Sequence, residues 1–428
     1  MDIRTAQAFV RFGLGRQGAE PLPSDPKAWL LRQLHALDAP VLQPQATTES
    51  GLSALREDRE TKPKPGESKA RALFTAQAAG LLDHALTTPA PFRERLVWFW
   101  ANHFTISLRR GECTGVACAF IEEAIRPNVT RRFSDMLLAV MRHPAMMLYL
   151  DNIRSVGPAS PGGAHGAGLN ENLARECLEL HTVSPAAGFS QTDVTALARL
   201  LTGWSVDLQA SVPGFLFRAR NHEPGPQTVL GGTFPPGEEG GTAALLALGT
   251  HAATYRFLAT KLVRHFVADN PAQADIRRIE TALRNTNGDL GAAAGALVDL
   301  ESAWQSGTKL RTPLEFTIAA LRALDLPADH RPNIGRVLSA LGQPFLNAPA
   351  PNGWGDTAAD WAAPESMIRR IDWAHALSAR IGSNDPMTLA DTALGPLLQP
   401  ATRDAMARAG SRRDAMTLML SSPEFQRR

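Results

Sequence analysis

The chain has 428 residues, with 44 Lys plus Arg against 42 Asp plus Glu and a formal net charge of +2. A balance this close to zero argues against a protein whose main work is coating nucleic acid or an anionic membrane. Hydrophobic residues make up 44% and charged residues 20%, and there are three cysteines, which excludes both global disorder and a disulfide scaffold.

Taken in chain order, MDIRTAQAFVRFGLG lacks the apolar run and cleavage site of a secretory signal, so the expected location is cytoplasmic. No later stretch approaches the length of about 18 apolar residues that a membrane span needs. Gly13, Gly15 and Gly18 satisfy G-x-G-x-x-G, but AEPLPSDP follows. Its prolines forbid the helix whose N-terminus would hold a pyrophosphate, which rejects a dinucleotide site. Helical periodicity then predicts helices over 26–37, 68–86, 91–106, 131–142, 169–183 and 191–202. The polar, proline-bearing stretch 44–67 reads as a mobile loop, and GPASPGGAHGAG at 157–168 and PPGEEGG at 235–241 as flexible ones. Short alternation in FLFRAR and dense turn residues predict a β-hairpin excursion over 203–235. Further helices are expected at 252–268, 271–285, 288–301, 312–323, 365–381 and 412–421. The expected fold is mainly α, one large helical domain over 1–428 with that small hairpin.

Within 91–106, Phe92, Leu96, Phe99, Trp100 and His103 share one stripe, so His103 projects from an otherwise apolar face. It is either a buried histidine bonded to a carbonyl or a ligand or acid–base group at the base of a pocket. Asn102, beside Trp98, is placed to line the same cavity. Cys113 and Cys118 are near enough in sequence for one bridge, or form a reduced pair. In LNENLARECLELHTV, Leu169, Leu173, Cys177 and Leu180 form a narrow stripe, flanked within about 80–100° by Asn170, Glu176 and His181. Glu171, Arg175 and Glu179 lie opposite, as a solvated ladder. A buried carboxylate near a histidine is costly unless it is paired, hydrogen-bonded or metal-bound. Glu176, His181, Asp193 and His103 are therefore the candidate catalytic groups, although Asp193 also suits a cap with Ser190. Asn102, Asn170, Asn172, Arg175 and the loop tryptophans Trp354 and Trp361 are the candidate substrate contacts. A divalent metal is one option. Glu176 and His181 are five apart, about 140° around a helix, so any such site must be assembled from separate elements such as His103, His181 and His222. No H-E-x-x-H, P-loop, G-x-S-x-G, zinc-finger or nucleic-acid motif is present.

The words RFGLG, RERLVWFWANHF, PAMMLYLDN, NENLARECLELHTV, DVTALARLLTGW, NHEPGPQTVLGG, ATYRFLATKLVRHFV, NGW and SSPEFQRR run in order over nearly the whole chain. With them the chain resembles a bacterial family known as domain of unknown function 1800. The resemblance implies no activity. It implies association with domain of unknown function 1501 proteins, which resemble exported sulfatase-like hydrolases. Ser184 stands where the family's LHT word continues to a glycine, so the turn after that helix is expected to differ; many relatives also carry an export signal that this sequence does not show. Two functions stay open: a hydrolase acting on a glycan or other cell-envelope polymer through a carboxylate/histidine cluster, or a non-catalytic accessory partner of a neighbouring hydrolase. They are separated by whether the polar groups converge on an open cavity or are closed inside the core.

Overall fold

In a computed structural model, which describes all residues except 37–45, 65, 110, 164–167, 306, 308 and 381–383, helix far exceeds strand. Among the described residues there are 22 α-helical segments against two two-stranded antiparallel sheets. None of these helices is long and apolar enough to cross a membrane. The elements that matter below are α1 (Thr48–Thr61), α2 (Pro91–His103), α3 (Asn172–Glu176), α4 (Glu238–Gly249), α5 (Ala252–Phe266) and α6 (Pro313–Leu324). Between α3 and α4 lie the hairpins β1 (Trp204–Asp207) with β2 (Gly214–Phe217) and β3 (Gln227–Val229) with β4 (Gly232–Phe234). The predicted excursion is thus two hairpins.

Several helices begin and end within a few residues of their expected bounds, including Phe133–Arg142, Gln191–Leu200, α5, α6 and Arg412–Ser421. The stretch expected as a mobile loop instead holds α1. Thr47 caps it through the Ser50 amide in a reciprocal capping box, and Leu52 and Leu55 are buried beneath it. Polarity elsewhere on that helix hid the two leucines that anchor it; residues 44–45 and 65 of the expected loop lie outside the described residues. Helix α4 begins inside the expected loop 235–241 because its glycines serve packing. A Cβ at Gly240 would meet the Pro235 carbonyl at 1.7 Å, and one at Gly241 the Trp204 ring at 3.0 Å. Glycine there trades helix propensity for close approach.

The segment 169–183 is not one regular helix. After α3 the backbone widens into a π turn over Cys177–His181. The extra residue in that turn shifts the phase, so Leu178 and His181 face the core while Leu180 does not. Ser184 follows with φ of +62°, the backbone a glycine would adopt without strain. Cys113, Cys118 and Cys177 are all buried, and Cys113 Sγ donates to the Ala145 carbonyl at 3.7 Å.

Buried apolar side chains form two clusters. The first gathers α2, α5 and the central helices around Phe92, Trp100, Phe104, Phe133, Trp204 and Phe266. The second gathers α6 and the C-terminal helices around Phe316, Leu338, Met416 and Phe425. Trp98 and Phe345 pack against both. A cavity lies at that seam.

Candidate functional site

Helix α2 is amphipathic in an unusual sense: one face is core and the other lines a cavity. Phe92, Leu96, Phe99, Trp100 and His103 are buried as the periodicity requires. Arg95, Trp98, Phe99 and Asn102, at helical spacing, form one wall of a cavity. His265 from the last turn of α5, Glu315 from the first turn of α6 and Asp356 from a loop form its polar floor. Leu338, Phe345, Leu346 and Trp354 form an apolar rim.

Glu315 sits there because the sequence TPLE folds as a capping box. Its Oε2 accepts from the Thr312 amide at 2.9 Å, and Thr312 Oγ1 accepts from the Glu315 amide at 3.3 Å. The same carboxylate then faces the cavity floor. Arg95 Nη2 donates to Oε1 at 2.9 Å and Arg428 Nε to Oε2 at 3.1 Å. Arg95 is itself fixed by donating to the Gly13 carbonyl at 3.1 Å, which gives the RFGLG word a structural role. Burial pushes the Glu315 carboxyl up, but the Arg428, Arg95 and His265 charges outweigh it and hold it well below the usual carboxylate range.

Asp356 arrives by a loop that α2 dictates. Asn102 grips Trp354 from both sides, accepting from its amide at 2.8 Å and donating to its carbonyl at 3.0 Å. Gly353 precedes it with φ of +79°, and a Cβ there would meet the Asn102 carbonyl at 2.5 Å. Trp361 then donates its indole N–H to the Gly355 carbonyl at 2.9 Å, with the two indole centroids 5.8 Å apart. Trp354 lines the cavity and Trp361, buried, holds the loop behind it. Gly353→Ala should cost about 2 kcal/mol through the left-handed backbone and the displaced Asn102. Chemical unfolding would measure that loss, and near-ultraviolet circular dichroism should show the tryptophan pair rearranged; a neutral substitution with an unchanged spectrum would contradict this account of the loop.

His265 Nδ1 lies 2.9 Å from Asp356 Oδ1, while Nε2 looks toward Glu315 Oε1 at 3.8 Å, beyond hydrogen-bond length. Burial lowers the His265 pKa, with Asp356 opposing. For Asp356, burial raises the carboxyl, but the His265 and Lys309 charges bring it below its ordinary value. The ring is therefore neutral near pH 7, with its proton on Nδ1 against the carboxylate and a lone pair on Nε2, and becomes the cation that lowers Glu315 and Asp356 only in the acid range where carboxyls titrate. Lys309, buried, donates to the Asp356 carbonyl and to Asp269, which pins the loop from below.

The residues singled out from sequence fall in three places. His103 and His181 do meet: His103 Nε2 donates to the His181 carbonyl at 3.1 Å and their ring centroids are 5.9 Å apart. They are enclosed by Trp100, Phe104 and Phe133 rather than open to the cavity. Burial, then the Lys261 charge, takes His181 down to about 3 and His103 well below its ordinary value. Both rings are neutral. Glu176 and Asn172 line a separate groove with Ser107, Arg109, Tyr149 and Ala348. Burial and the neighbouring Glu179 raise the Glu176 carboxyl.

The remaining residues make their contacts outside the cavity. Asn170 accepts from the Asn172 amide at 2.9 Å and donates to the Asp151 carbonyl at 3.2 Å. Arg175 belongs to the surface ladder, 2.9 Å from Glu171. Asp193 completes the Ser190 capping box and accepts from the Leu230 amide at 2.7 Å, tying a helix to the second hairpin. His222, expected as a metal ligand, has Nε2 accepting from the Gly237 amide at 2.7 Å and Nδ1 donating to the Thr202 carbonyl at 2.8 Å. Among the described residues no group of three or more His, Cys, Asp or Glu is placed to hold a metal ion.

Sequence reasoning missed His265, Asp356, Glu315 and Arg95. Each nonetheless stands in or beside a word that was singled out or in a readable cap. His265 stands near the end of ATYRFLATKLVRHFV, Asp356 follows NGW, and Glu315 sits at the third position of the Thr312 box. The family described as Protein of unknown function (DUF1800) matches residues 7–427. No curated protein and no solved structure matches the chain.

Proposed function

This chain belongs to the DUF1800 family, and from that premise we propose that it is a hydrolase whose general base is His265, acting on an ester carried by a glycan or other cell-envelope polymer. The observation that carries the reading is the 2.9 Å contact from His265 Nδ1 to Asp356, which leaves Nε2 as the acceptor facing a cavity. In that arrangement Nε2 takes a proton from water as the water oxygen attacks the acyl carbon, and the Asp356 carboxylate stabilises the imidazolium that forms. The imidazolium then returns the proton to the departing alcohol oxygen, and the ester is converted to acid and alcohol.

An ester suits the site better than a glycosidic bond. Glycoside hydrolysis requires a protonated carboxylic acid beside the leaving oxygen. Glu315 and Asp356 are both held as anions by neighbouring cations. The glycan part of the reading is supported by Trp98 on the wall and Trp354 on the rim, which offer aromatic surface to a sugar ring.

With 4-nitrophenyl acetate and an O-acetylated glycan as substrates, His265→Gln should lower kcat by about 10²–10⁴-fold. Asp356→Asn should lower it by a smaller factor, because the ring loses its orientation but keeps its base. Since burial lowers the pKa of His265, the rate should rise through a midpoint below about 6.5 and stay level above it. A parent protein that hydrolyses neither substrate, or a His265→Gln variant at full rate, would refute the proposal.

The accessory reading, with a domain of unknown function 1501 hydrolase as partner, is favoured by one observation. His181, from the most distinctive word of the sequence, is closed inside the core. On that reading the cavity binds without turnover.

A further inference from the structure

A second pocket shares a wall with the first. Ala348 lines both, and Ser107 Oγ donates to its carbonyl at 2.7 Å while the Leu108 amide donates to the Leu346 carbonyl at 2.9 Å. Those two bonds fasten the dividing segment to the chain that leaves α2, and Pro349 and Pro351 stiffen it further. The groove beyond is polar on one side. Glu176 is partly buried there, near the charges of Glu179 and Arg175, and its carboxylate makes no hydrogen bond or ion pair among the described residues. Arg109, exposed, lines the same groove and has no side-chain partner among the described residues.

A carboxylate lining a groove is an acceptor for hydroxyl groups, and a guanidinium lining the same groove is a donor for a carbonyl oxygen. The two charges offset each other, which favours a neutral unit bearing both groups over an ion. An N-acetylated sugar has that chemistry.

We propose that the cavity at His265 and the groove at Glu176 and Arg109 are two subsites of one cleft, and that the cleft holds consecutive units of an N-acetylated glycan. The proposal rests on the glycan part of the function given above and extends it: the first cavity holds the reacting unit, the groove holds a unit further along the chain, and Ala348 lies beneath the linkage between them. Specificity for a polymer over a single sugar then comes from occupying both subsites at once.

The test is a calorimetric titration of the full chain with β-1,4-linked N-acetylglucosamine oligomers of increasing length. The Kd is expected to tighten by about tenfold or more at the length that first reaches from Trp354 to Glu176. Most of that gain should be lost in Glu176→Gln, in Arg109→Ala, or in both, with circular dichroism confirming that each variant is folded. Affinity independent of length, a gain that survives in both variants, or no binding of any oligomer overturns the proposal. Hydrolysis of 4-nitrophenyl acetate involves the first cavity alone. Turnover of that ester without a length effect removes the second subsite and spares the hydrolase; a length effect without turnover does the reverse.

Discussion

Glu315→Gln should destabilise the protein by about 3–5 kcal/mol, the range for breaking one partner out of a buried ion pair. The side chain keeps its size, and its amide oxygen can still accept from the Thr312 amide, so the cap survives. What disappears is the negative charge shared by Arg95, Arg428 and the neighbourhood of His265. Those cations remain in place, with the Arg95 and Arg428 side chains almost wholly buried. Uncompensated charge in that setting costs more than the pair contributes when intact. Guanidinium unfolding of parent and variant measures the difference. Pairing the change with Arg95→Met should recover part of the loss, because one stranded cation is removed with its partner. A single-variant loss under about 1 kcal/mol would mean that water reaches the floor of the cavity and screens it.

Acid should destabilise the protein well above the pH at which carboxylates titrate. His103 and His181 are enclosed and neutral in the folded state, with His181 down to about 3. In the unfolded chain each returns to about 6.5. Below that value the unfolded state binds more protons, so stability is fully present above about 6.5 and is lost as pH falls from there toward the folded pKa. Two such rings give a loss of about 3–4 kcal/mol between pH 6 and 4.5. His265 acts in the same direction. Glu176, with its carboxyl raised, acts in the opposite one, but it is a single half-exposed group against buried rings. Glu315 and Asp356 are lowered, so their stability is lost only further down, below the unfolded carboxylate range. Urea midpoints across that window give the slope, and His181→Phe should reduce it by about half whatever it does to stability at pH 7. An unchanged slope in that variant would assign the acid sensitivity elsewhere.

The helices were legible wherever a 3.6-residue apolar stripe exceeded two turns, as in α2, α5 and Arg412–Ser421. They were illegible where glycine served close packing, as at Gly240 and Gly241, or where only Leu52 and Leu55 carried the stripe, as in α1. The π turn at Cys177–His181 was illegible for a different reason: one inserted residue breaks the phase that angular arithmetic assumes. Of the candidate site, Asn102 and Trp354 were reachable because each stands out locally, a polar residue beside a stripe and a tryptophan between glycines. The His265–Asp356 pair spans 91 positions and joins a helix end to a loop. Nothing in the local pattern of either residue announces the other.

The floor of the cavity also carries a message about time. Its bonds run from Gly13 to Arg95 across 82 positions, from Arg95 to Glu315 across 220, and from Arg428 to Glu315 across 113. Closing loops of that span carries a large entropic cost until both apolar clusters exist to bring the ends together. A growing chain can therefore complete much of its first cluster while Arg95 still waits for a counter-charge that lies hundreds of residues downstream. Refolding followed by pulse-labelled hydrogen exchange should find the amides of Glu315 and Arg428 protected after those of α2, and binding competence acquired last.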